Sequence, residues 1–109
     1  MARFENTLGI TDIILKPTAK NVFCPIGQQE YTANIIIYLY RINTIPDYIE
    51  VETWINENIS NNELTIEEVA SKVKNYFVEE YCQDYQVDVE VKVDDAAHFP
   101  VEVSIKNCR

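Results

Sequence analysis

The stretch QVDVEVKV, Gln86 to Val93, alternates apolar and polar side chains without a break. Successive side chains of an extended chain point to opposite faces. That puts Val87, Val89, Val91 and Val93 on one side and Asp88, Glu90 and Lys92 on the other. This is the pattern of a half-buried strand. FPVEVSIK repeats it, with Val101, Val103 and Ile105 inward, and DDAAH between the two reads as a turn. The C-terminal end is therefore an antiparallel hairpin with one apolar face, and that face needs a covering layer.

The cover lies upstream. TIEEVASKVKNYFVEEY opens with Thr65 and Glu68, spaced as a capping box, and carries Ile66, Val69, Val73, Phe77 and Tyr81 at helical spacing. EVETWINENI reads as a shorter amphipathic helix with Val51, Trp54, Ile55 and Ile59 inward, and the polar SNNE links the two. Towards the N-terminus, LGITDIILK and TANIIIYLYRI are strand-like, rich in β-branched and aromatic residues. Apolar residues on both faces of Ile35–Leu39 predict a strand covered on both sides. The order β-β-α-α-β-β over 109 residues describes one α+β domain, an antiparallel sheet with two helices on one face. An apolar outer face and open sheet edges are a liability in a monomer. The chain is therefore expected to be a homo-oligomer, its subunits closing a barrel.

Charge limits the partners. There are 18 acidic residues against 9 basic, for a net charge of −9. A protein that grips nucleic acid through phosphates is usually basic, so this one either avoids nucleic acid or meets it through a local patch. Lys16, Lys20, Arg41, Lys72, Lys74 and Lys92 are the cations such a patch could draw on, with those near the termini. No apolar run is long enough to span a bilayer, and MARFENTLGI lacks the apolar core of a signal peptide. Cys24, Cys82 and Cys108 show no C-x-x-C spacing, which gives neither a disulfide framework nor a metal site. Reduced thiols in a cytoplasm are the simplest account.

FCPIGQQEY then stands out. It places a thiol, a proline and, six residues after the thiol, Glu30 at the threshold of the most hydrophobic strand. A thiolate is a strong nucleophile, and a carboxyl group within reach can move the proton that its addition to a substrate requires. CPIGQQEY resembles the Cys-Pro-x-Thr-Gly-Gln-Pro-Asp-Phe motif of the QueF family of tunnelling-fold enzymes. IPDYIEVET resembles that family's Ile-Pro-Asp followed by Val-Glu-Ser, and NNEL its His-Glu. Together the three segments extend the resemblance over most of the chain. The cysteine loop is one residue shorter than the motif, with Gln29 for Pro, Glu30 for Asp and Asn62 for His.

The resemblance implies a tunnelling fold assembled into rings. It makes Cys24 the nucleophile and Glu30 the proton-transfer carboxylate. Glu52 and Glu63 would bind the pyrimidine edge of a guanine-like base, where one carboxylate accepts the N–H and the amino group together. Where the NADPH-dependent reductases of the family carry lysines, TWINE puts Trp54 and Glu57. A carboxylate cannot replace a cation at a cofactor phosphate. The resemblance therefore points to the short, cofactor-free relatives: an amidinotransferase that converts the nitrile of 7-cyano-7-deazaguanine in tRNA to the amidine of archaeosine, using an ammonia donor. The alternatives are the NADPH-dependent reductase of the base and a non-catalytic tunnelling-fold binder of purines or pterins. The acidic charge favours the binder. His98 reads as an exposed turn residue without a role, and Cys82 and Cys108 as cysteines without function. Tyr31, Tyr38 and Tyr40 read as packing.

Overall fold

One long strand organises the chain. In the computed structural model, which describes residues 3–81 and 85–106, β4 (Gln29–Tyr40) runs through the middle of an antiparallel sheet. Along one edge of it lie β2 (Asp12–Leu15) and β3 (Thr18–Cys24), both paired with β4 and separated by Lys16 and Pro17. Proline cannot donate to a ladder, so the break falls there. On the other edge β4 pairs with β6 (Gln86–Val93), which pairs with β7 (Val101–Ile105). A two-stranded ribbon of β1 (Phe4–Glu5) and β5 (Thr44–Ile45) stands apart. The helices are α1 (Tyr48–Asn58) and α2 (Ile66–Glu80).

The valine alternation behaves as expected. Val87, Val89, Val91 and Val93 are buried, and three of them face Leu39, Ile37 and Ile35 across the ladder. They form one core with Val51 and Ile55 of α1 and Val69, Val73 and Phe77 of α2. Helix α2 starts at the anticipated capping box: Thr65 Oγ1 accepts from the Glu68 N–H at 3.1 Å and Glu68 Oε1 accepts from the Thr65 N–H at 2.8 Å. Helix α1 begins earlier than its apolar spacing suggests. Asp47 caps it, its Oδ1 accepting from the amides of Ile49 and Glu50. Trp54 anchors α1 by stacking on Tyr76 at 4.3 Å.

Two features depart from the sequence reading. Ile35, Ile37 and Leu39 are buried under the helices, but Ile36, Tyr38 and Tyr40 are only half-buried on the opposite face. That face is mixed rather than apolar, since the ladder sets Ile14, Tyr38 and Asp88 side by side and Ile36 beside Glu90 and Ser104. Among the described residues, the helices cover β4 on one side.

The second departure is a β-bulge in β3. Ala19 pairs with Ala33 and Val22 with Tyr31, so two residues of β3 oppose one of β4. Asn21 takes the strain with φ 57°, in the left-handed region that asparagine tolerates better than most residues. The bulge shifts the alternation by one. Ala19 and Val22 are both fully buried, and the next inward position is Cys24 rather than Phe23.

Candidate functional site

Cys24 ends β3, pairs with Gln29 across the ladder and opens into a cavity of about 280 Å³. The thiol is neither sealed in the core nor fully exposed. Pro25–Gln28 form the turn back to β4. Gln28 donates its N–H to the Cys24 carbonyl at 2.8 Å, and the Gly27 N–H points at Sγ at 3.4 Å. The left-handed residue of this turn is Gln28, φ 58°, and not Gly27. A Cβ on Gly27 would meet Gln29 Nε2 at 3.5 Å and Sγ at 3.7 Å, which are ordinary contacts.

The cavity wall comes from three distant segments. Tyr31 of β4 and Thr65, Ile66 and Glu67 at the start of α2 supply one side; Ala96 and His98 of the β6–β7 connection, with Val101 at the start of β7, supply the other. That connection is fastened down. Asp95 Oδ1 accepts from the Thr32 N–H at 3.0 Å, and Gln29 Oε1 accepts from the Ala97 N–H at 3.1 Å. The Thr32 amide holds the Asp95 carboxyl below the usual carboxylate range. Tyr31, buried, donates its hydroxyl to the Leu64 carbonyl at 2.7 Å. Burial, with the nearby Cys24, Glu67 and Glu68 charges, pushes that phenol well above its ordinary value.

The four residues singled out in the sequence do not converge within one chain. Neighbouring residues of a strand face opposite ways, and Cys24 pairs with Gln29, so Glu30 lies on the face turned away from the thiol. Glu63 forms an isolated parallel bridge with Phe23, bracketed by bonds from Phe23 N–H to Asn62 O and from Leu64 N–H to Phe23 O, each 2.9 Å. Glu30 and Glu63 thus flank Phe23 on that second face. Glu52 is exposed on α1 and borders a separate groove with Ile14, Lys16 and Tyr48. Cys82 and Cys108 lie outside the described residues.

The sequence reading gave no role to His98, which the structure puts in the cavity of Cys24. The signal was absent from the local sequence, because the placement depends on pairings 63 and 68 residues apart in the chain. A wider, open groove of about 590 Å³ beside Asp12, Tyr40 and Arg41 contains neither thiol nor imidazole. Among the described residues, no three His, Cys, Asp or Glu converge in a way that could hold a metal ion. No helix among them is long and apolar enough to cross a membrane.

The antiparallel sheet with two helices makes this a mixed α+β domain, and its fold matches that of a QueF-like neighbour. The crystal structure of the archaeosine synthase QueF-Like in the apo form matches with a TM-score of 0.75, covering 89% of this chain and 93% of that one at 17% sequence identity. No protein-family model and no curated protein matches the sequence.

Proposed function

We propose that the chain is an amidine-forming transferase acting on the nitrile of 7-cyano-7-deazaguanine in tRNA, through a thioimide on Cys24. The observation that carries this is a part-exposed thiol opening into a cavity beside proton-carrying groups, on the fold of an archaeosine synthase. The Cys24 thiol adds across C≡N: an S–C bond forms, one C–N π bond opens and the thiol proton ends on nitrogen. Ammonia from a donor then adds to the same carbon, the S–C bond breaks, and the thiol is restored as the amidine leaves. No redox cofactor enters this balance.

Glu63 and Glu52 are the base-binding carboxylates in this reading, brought to one base by adjoining subunits of a homo-oligomer. Glu30, beside Glu63 on the second face, serves that interface. Intact-protein mass spectrometry with the nitrile base tests the proposal. The expected adduct weighs protein plus whole base, because addition across a triple bond has no leaving group. Cys24→Ala should abolish it. An adduct that survives Cys24→Ala, or none in the wild type at saturating base, overturns the reading. The net charge of −9 supports a second reading, a non-catalytic purine or pterin binder, which that negative result would favour.

A further inference from the structure

We infer that His98, and not Glu30, is the acid–base partner of the Cys24 thiol; this rests on Cys24 being the nucleophile proposed above. Both residues line the same cavity, while Glu30 faces away from it. The connection that bears His98 is tied directly to the thiol's neighbour, since the Ala97 N–H donates to Gln29, the ladder partner of Cys24.

The imidazole is also held in the useful tautomer. His98 Nδ1 lies 2.7 Å from the Phe99 carbonyl oxygen, and a carbonyl can only accept. The proton of the neutral ring therefore sits on Nδ1, which leaves Nε2 bare to take another. The other titratable groups around the cavity serve less well. Tyr31 commits its proton to the Leu64 carbonyl. Glu67, on the first turn of α2, offers a carboxylate, which is a weaker base toward a thiol than an imidazole. Asp95 in the turn is engaged by the Thr32 amide.

The step balances. Nε2 takes the Sγ proton as sulfur bonds to the nitrile carbon, and the imidazolium hands it to the nitrogen as the triple bond opens. When ammonia adds, Nε2 takes a proton from the attacking nitrogen and returns it to the departing sulfur. His98 ends each half neutral.

The test needs no nitrile. The rate of Cys24 alkylation by iodoacetamide is measured on the Cys24-containing peptide by mass spectrometry, across pH. His98→Asn keeps a donor for the Phe99 carbonyl but cannot accept a proton. It should slow alkylation about tenfold or more near neutral pH and leave a profile with a single thiol titration. His98→Gln should do the same, and Glu30→Gln should match the wild type. Circular dichroism confirms that each variant is folded. Wild-type rates and profile in either His98 variant, or the loss appearing in Glu30→Gln instead, overturn the assignment. The two proposals separate cleanly. A His98-dependent thiol that forms no adduct with the nitrile base sinks the transferase and leaves the pair. An adduct formed equally fast by His98→Asn does the reverse.

Discussion

Asn21 decides which way the thiol faces. Its left-handed backbone makes the bulge that turns Val22 and Cys24 inward, and no contact of its side chain is needed for that effect. Replacing it by glycine, which adopts φ > 0 without steric cost, should leave stability within about 1 kcal/mol of wild type. Replacing it by valine, whose branched Cβ clashes in this region, should cost about 1–2 kcal/mol or more in urea unfolding. Asn21→Val should also change the alkylation rate of Cys24, and Asn21→Gly should not. Equal stabilities in the two variants would show that the bulge imposes no backbone constraint.

At the scale of elements, α2 carries an odd charge pattern. Its first turn holds Glu67 and Glu68, favourable near the positive end of the helix dipole, but its last turn has no basic residue and ends at Glu80. Arg3 supplies the missing cation. Its guanidinium donates to the Glu80 carbonyl at 2.9 Å and to Glu50 at 2.7 Å, and lies 3.9 Å from the centre of the Tyr81 ring. Arg3→Ala should destabilise the fold by about 1–2 kcal/mol, a figure already reduced for the part-exposed, salt-screened pair. Arg3→Lys should recover only part of it. Thermal unfolding at low and high salt checks both. The contrast with the other end of α2 shows what was legible in the sequence. Thr65 and Glu68 are three residues apart and announce their bond locally, as the valines of β6 announce their face. Arg3 and Glu80 are 77 residues apart, and only the packed fold joins them. The loop around Cys24 was legible because a short motif marks it. His98 was not, because the Thr32 and Gln29 bonds that seat it are long-range, and the facing of Glu30 was hidden by the unseen register of β3 against β4.

Across the whole molecule, burial raises the phenols of Tyr31, Tyr76 and Tyr81, Tyr76 to about 12. A group whose folded value lies above its unfolded one contributes fully below the unfolded value, about 10 for tyrosine, and loses that contribution as pH rises through the folded one. The urea midpoint should therefore fall as pH climbs past about 10, with the tyrosinate absorbance of these three phenols appearing together with unfolding rather than before it. Glu50, lowered chiefly by its bond from Arg3, works on the acid side: its contribution is present above the ordinary carboxyl range and lost as pH falls through the lowered value. Among the described residues, β2 and β7 each pair with a single strand, β3 pairs with β4 and is bridged at Phe23 by Asn62–Leu64, and Phe4, Leu8, Ile14, Tyr48 and Ile49 are exposed. Light scattering should give the mass of several chains at micromolar concentration. A stable monomer would remove the intersubunit base site and, with it, the roles given to Glu52 and Glu63.

The bulge also says how this site can be lost or remade. In a chain whose side chains alternate, substitution alters what stands at a position, but removing one residue exchanges the two faces from that point to the turn. Asn21 is the extra residue of the bulge, so deleting it would abolish the two-against-one pairing and still leave Cys24 inward, in strict alternation with Ala19 and Val22; flattening the bulge with every residue kept would instead carry Cys24 round to the side where Glu30 and Glu63 flank Phe23. The thiol would then trade an imidazole for carboxylates with none of those groups mutated. For this hairpin, parity is a character in its own right, set by the bulge and the residue count together.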